Sequence, residues 1–217
     1  MPRETDANLP RLRATHYERT VRNLRSYLRE LEQVTDPDLA TFDLGRANLL
    51  LARMLNDRGI DTSDDYAATV AALVGNPAGF RPARTRAWIR TVADRSAYNL
   101  NQTINGDLFA TLLDEEPRLA QQTLWERYVN VRTLLWATAI TTTYAMFGAH
   151  EGAWGAGAKS KRWRVTSGNP RDSHAAIDGE EVSMGETFSN GLRWPGDPGP
   201  AGEIANCKCA VVFLGDD

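Results

Sequence analysis

The chain has 217 residues, 42% of them hydrophobic and 24% charged, with a formal net charge of −3, which suits one sizeable core or two small ones and excludes collagen, coiled-coil rod and wholesale disorder. No strong positive field draws it non-specifically onto nucleic acid or an anionic membrane. Two cysteines cannot frame a disulfide-rich secreted domain, and Met1-Pro2-Arg3-Glu4 opens no apolar signal segment, so a reducing cytosolic setting is expected.

Residues from about Arg11 to Phe147 read as helices. In the first, Tyr17, Val21, Leu24, Leu28 and Leu31 recur at steps of four and three, an apolar stripe beside Arg19, Arg22, Arg25, Arg29 and Glu30. The second is expected to open with Asp36 as cap and Pro37 at the first helical position, and to close at Gly59. A third, short helix follows Ser63 and stops at Gly75-Asn76-Pro77. Beyond Pro82, the positions Trp88, Ile89, Val92, Leu100 and Ile104 predict another, ended by Asn105-Gly106. After a short piece around Leu108 to Leu113, a long helix starts at Pro117 and carries Leu124, Tyr128, Val131, Leu135, Ala139 and Phe147. Its uncharged run Thr133 to Ala149 is the nearest approach to a membrane span, but it is short and holds several threonines, so a buried core helix is expected.

At Gly148 the pattern changes. Gly152 to Ser160 reads as a linker, followed by short alternating runs at Arg162–Thr166, Glu181–Met184 and Lys208–Leu214, with the irregular Pro195 to Pro200 loop between the last two. The expected fold class is α+β: an irregular helical region over 1–150, a Gly-rich linker over 151–160, and a small antiparallel β-containing domain over 161–217. A unit of that last size buries little core and needs a staple or a neighbour.

Chemistry concentrates in the tail. His174, Cys207 and Cys209 offer three zinc ligands, with Asp172 or Asp178 as a fourth; zinc would stabilise a small sheet because ligand capture contributes folding free energy. Alternatively, His174 hydrogen-bonds the turn at Asp178-Gly179 while both thiols pack as small buried groups. A Cys207–Cys209 disulfide is disfavoured by strain and by the reducing compartment. Asp178-Gly179 reads as a tight turn, and adjacency does not make Ser173-His174 a catalytic pair. Trp163 and Trp194 suit the sheet's core, Arg162, Arg164 and Arg171 a solvated face, and His16 and His150 the surface or helix ends.

In order, Trp163, Arg171-x-x-His174, Asp178-Gly179, Val182, Phe188, a Pro-rich loop and Asn206-Cys207-Lys208-Cys209 resemble the C-terminal domain of Mu-type phage minor head proteins, also called head morphogenesis proteins. Arg132-Thr133 and its helix resemble the segment leading into that domain, so the likeness runs from about Asn130 to Val212. In some relatives the positions of Arg171 and His174 look like a Cys-x-x-Cys pair; Arg171 departs from that pattern and cannot ligate zinc. The resemblance implies a minor capsid component at the portal vertex, assembled in the bacterial cytoplasm and carried in the virion. Its implied work is binding portal, scaffold or coat subunits and touching packaged DNA, without catalysis and without a membrane. The competing expectation is a metal-dependent hydrolase, a nuclease or capsid-processing protease; a more remote one makes Thr133 to Ala158 membrane-active during genome delivery.

Overall fold

The computed structural model describes residues 3–215. Among these residues the α+β fold has seven α-helices and four strands, in the order β1 (Arg3–Asp6), α1 (Pro10–Val34), α2 (Leu44–Val74), α3 (Arg86–Ala110), α4 (Pro117–Arg127), α5 (Thr133–Ala156), β2 (Ser160–Arg164), α6 (Asp172–Ala176), β3 (Glu181–Ser183), α7 (Ala201–Ile204) and β4 (Ala210–Gly215). The strands form one antiparallel sheet of order β1-β4-β2-β3.

The stripe on α1 is buried as its spacing requires, at Val21, Leu24, Leu28 and Leu31. The opening of α2 differs from expectation. Asp36 Oδ1 accepts from the backbone N–H of Asp38 and of Leu39, at 2.9 and 3.1 Å, which closes a turn that pairs Asp36 with Thr41. Asp43 takes the capping role instead, accepting from Arg46 N–H at 3.0 Å. The helix then passes through Gly59 without a break, so the second and third expected helices are one. A Cβ at Gly59 would collide with the side chains of Ile89 and Tyr144, so packing there outweighs the roughly 1 kcal/mol that glycine costs a helix interior. Gly75 ends α2 in the left-handed conformation, φ 108°, as the Gly-Asn-Pro signal requires.

Helix α3 likewise runs past Asn105-Gly106 to Ala110. Between α4 and α5 the chain does not stop but widens into a π turn, Tyr128–Arg132, where Thr133 Oγ1 donates to Tyr128 O at 2.9 Å. Arg25 Nε donates to Val129 O in the same turn, joining it to α1. The linker expected over 151–160 is helical as far as Ala156, because Gly148 and Gly152 lie where α5 meets the backbone of α2 at Ser63 and Ala67. No helix among the described residues is long and apolar enough to cross a membrane.

Strand β1 falls in the 1–150 region, for which no strand is expected. Its pairing with β4 joins residues more than two hundred positions apart, and Arg3-Glu4-Thr5-Asp6 carries no apolar alternation that could announce it. Glu4 and Asp6 instead meet Arg162 and Arg164 at 3.0 and 2.6 Å, so these arginines are ion-paired rather than merely solvated. Between them Val212 and Leu214 of β4 are buried.

Three apolar clusters follow. Leu24, Leu28, Leu51, Leu55, Ile104 and Trp125 fill the helical region, and Tyr66, Ile89, Phe147, Trp194 and Phe213 join α2, α3 and α5 to the sheet. Trp163, Ile177, Phe188, Leu192, Cys207 and Cys209 make the third. His16 and His150 are buried, not superficial: His16 lies 3.1 Å from Asp65 and 3.2 Å from Thr62 Oγ1, and His150 Nε2 lies 3.0 Å from Met184 O. Each sits on the packed side of its helix.

Lys161 is fully buried and donates to Met184 O at 2.8 Å. Burial, helped by Arg193, lowers its pKa to about 8. The cost of burying the ammonium is therefore complete below pH 8 and disappears as pH rises toward the unfolded value of 10.5. That shift corresponds to on the order of 3 kcal/mol, offset by about 1 kcal/mol for the hydrogen bond lost on substitution. Lys161→Met is thus expected to stabilise the fold by about 2 kcal/mol at pH 7 and to flatten the gain in stability between pH 8 and 10.5. Denaturant titrations across that range check it; a less stable variant contradicts it.

Candidate metal centre

The third cluster is built on two adjacent strands and the loops that leave them. β2 turns Trp163 inward, and its backbone is tied to the following turn by Trp163 N–H to Glu180 O at 2.9 Å and Gly179 N–H to Trp163 O at 3.0 Å. Gly179 adopts φ 85°, and Asp178 Oδ1 accepts from Val165 N–H at 2.8 Å, so the Asp-Gly pair forms a turn docked on β2. This anchors the short helix α6, which points His174 toward Trp163 with ring centroids 5.0 Å apart. Phe188 packs edge-on to the same indole at 5.1 Å.

From the other side, Asn206 bends the chain after α7 with φ 53° and delivers Cys207-Lys208-Cys209 into β4. The three carbonyls of this segment are all held. Thr142 Oγ1 donates to Cys207 O at 2.7 Å, Arg13 donates to Lys208 O at 2.6 Å and to Cys209 O at 3.1 Å, and Thr166 Oγ1 also donates to Lys208 O at 2.5 Å. The cysteines are therefore fastened to α1 and α5 as well as to the sheet.

His174 Nδ1 lies 3.4 Å from Cys209 Sγ and 3.7 Å from Cys207 Sγ. One ligand atom from each of the three residues falls within 4.8 Å of the others, all three side chains are buried, and the group could hold a metal ion. Neither aspartate joins it: Asp172 is exposed and Asp178 is engaged in its turn. His174 also does not bond that turn; its Nε2 lies 3.1 Å from Glu203 Oε2.

The electrostatics favour a thiolate at Cys207 and oppose a second one at Cys209. Cys207 is lowered to about 5 because the Cys209 S–H donates to its sulfur, which outweighs burial, and His174 lowers it further. Cys209 is raised, as the donor in that bond and as a second buried charge beside the first. Two groups oppose that rise: the backbone N–H of Thr166 and the indole N–H of Trp163 both favour a Cys209 thiolate. The indole N–H is buried and has no acceptor at ordinary hydrogen-bond distance among the described residues. Two sulfurs, an imidazole nitrogen and a carboxylate behind it make an electron-rich, buried donor set. A divalent cation of the zinc class fits such N/S donors better than a hard, oxygen-seeking ion.

Of the other residues singled out by the resemblance, Trp163, Asp178, Gly179, Phe188 and Asn206 shape this cluster, and Arg171 braces it by donating to Gly202 O and Ala205 O. Arg132 is not brought there. It closes the π turn, ten residues before Thr142 and so about 15 Å away along the helix. Glu203, Arg13 and Thr142 carry no sequence signal for this role: Glu203 lies in a Gly- and Pro-rich stretch, and the other two sit in helices far away in the chain. Compared with protein-family models, curated proteins and solved structures, the chain gives no match.

Proposed function

We propose that this chain is a phage minor head protein of the Mu type, working by protein–protein binding at the portal vertex. We also propose that His174, Cys207 and Cys209 hold a structural zinc ion. One observation carries the reading: motif residues spread from Trp163 to Cys209 converge on a single buried framework, in which each supports another and Trp163, His174, Phe188, Cys207 and Cys209 are all at most 3% exposed. A motif used for packing and backbone support fits a scaffold, whereas catalytic groups face a cleft. Zinc, when bound, would cross-link α6 to the entry of β4 and neutralise the thiolates.

The helical region offers the surface for partners. Leu39, Leu113 and Leu119 are 62, 89 and 56% exposed. Leu39 lies in the 36–41 turn and Leu119 in α4, and these two segments are joined by Arg118–Asp38 at 2.8 Å and by Gln121 Nε2 donating to Pro37 O at 3.0 Å; Leu113 immediately precedes the loop into α4. Such apolar groups suit contact with a portal or capsid subunit.

The test is photo-crosslinking during head assembly. The chain's three lysines all lie at or beyond Lys159, so amine-reactive reagents cannot sample the helices, and a photo-reactive amino acid is placed instead at Leu113 or Leu119. Links to portal or capsid subunits are expected; links only to DNA or to tail proteins overturn the assignment. The three-donor set is the observation favouring a metal-dependent hydrolase, since catalytic sites leave one coordination position open. Metal-dependent nuclease or protease activity that His174→Ala abolishes would establish that reading instead.

A further inference from the structure

The chain supplies three donors to the metal site, yet a fourth polar residue is bound to the histidine itself. With Nδ1 facing both sulfurs, Nε2 faces Glu203 Oε2 at 3.1 Å. Glu203 is in turn held. Ser173 Oγ donates to its carboxylate, 3.1 Å from each oxygen, and the Arg171 guanidinium donates to the carbonyls of Gly202 and Ala205, on either side of Glu203. Three residues of one short segment, Arg171, Ser173 and His174, thus grip the α7 segment through one charged side chain and its flanking backbone.

We propose that Glu203 is the outer-sphere positioning residue of this site: it accepts the Nε2 proton of His174 and so commits the imidazole to bind metal through Nδ1. This rests on the zinc reading above. An imidazole is a ligand only through its unprotonated nitrogen, and the partner of the opposite nitrogen decides which one that is. Losing such a partner costs about 10- to 100-fold in metal affinity. On this view Arg171, which cannot ligate, contributes to the site by fixing the backbone that carries the carboxylate.

The experiment uses the full chain and zinc(II) alone, with affinity read by competition against a chromogenic chelator. Glu203→Ala is expected to weaken binding about 10- to 100-fold, and Glu203→Gln, whose amide oxygen still accepts from Nε2–H, to recover most of that loss. Melting of the metal-free proteins in chelator separates a folding defect from a ligation defect; Glu203→Gln, which keeps the shape, is the arbiter if Glu203→Ala does not fold. The direct signature is the ¹⁵N shift of the His174 ring in the zinc-loaded wild type, expected to show Nε2 protonated and Nδ1 coordinated. Zinc uptake with unchanged affinity in Glu203→Ala, or coordination through Nε2, overturns the inference alone. A wild-type chain that takes up no zinc overturns the metal reading, and the inference with it.

Discussion

Purified protein is expected to carry one zinc ion, and Cys209→Ser to lose it together with a substantial part of its thermal stability. The size of the effect follows from linkage: free metal at about 100 times its dissociation constant contributes about 2.7 kcal/mol. In a chain of this length that moves the melting temperature by roughly 5–10 °C. The loss should reach beyond the tail, because the Cys207–Cys209 backbone is fastened to α1 by Arg13 and to α5 by Thr142. Cys209→Ser removes a sulfur that Trp163 and Thr166 both favour as a thiolate. A chelator should reproduce the shift in the wild type and do nothing to the variant. Elemental analysis showing no stoichiometric zinc, with melting unmoved by chelator, would end the metal hypothesis.

A second large effect is expected where α2 and α5 meet. Gly148 and Gly152 share one face of α5, and Ser63 and Ala67 share one face of α2. A Cβ on Gly148 would strike the backbone of Ser63, and one on Gly152 the backbone of Ala67. Gly59 against Tyr144 continues the same register, so the two helices run side by side in one direction, and Ser63 Oγ donates across to Tyr144 O at 3.0 Å. Because the obstacles are backbone atoms, no rotamer change can relieve them, and the helices must separate. Over-packing costs about 1–3 kcal/mol per site, so Gly148→Ala with Gly152→Ala should lower stability by about 2–6 kcal/mol, or roughly 4–24 °C in melting temperature. Gly106→Ala is the control: an added Cβ there meets nothing within 4 Å, on an exposed turn of α3, and should be neutral or mildly stabilising. If Gly148→Ala and Gly152→Ala melt with the control, the helices are not packed this closely.

Gly59, Gly148 and Gly152 also show why local sequence signals place helix ends too early. Read locally, each glycine counts against a helix by about 1 kcal/mol and invites a break. In the folded chain each permits a close approach between helices, a gain visible only when the opposing helix is in place. Asp36 failed for a related reason: its side chain accepts from following amides as a cap does, but the amides belong to a turn, and Asp43 caps the helix.

The site divided in the same way. The donors were legible because sulfur and imidazole are rare in this chain, with two cysteines and three histidines, and because Cys-x-Cys at a strand entry constrains where both thiols go. Their support was not. Glu203 is one of 28 acidic residues, and its contact with His174 depends on the path of α7.

Local information in the sequence therefore determined the helical stripe of α1, the stop at Gly75, the start at Pro117, the β-rich tail and the identity of the three donors. Each is set by period, by backbone freedom or by scarce chemistry, all of which act over a few residues. Tertiary structure alone decided the pairing of β1 with β4, the uninterrupted course of α2 and α5, the burial of His16, His150 and Lys161, and the place of Glu203 behind His174. These depend on partners tens to hundreds of residues away, whose packing outweighs local preferences of about 1 kcal/mol.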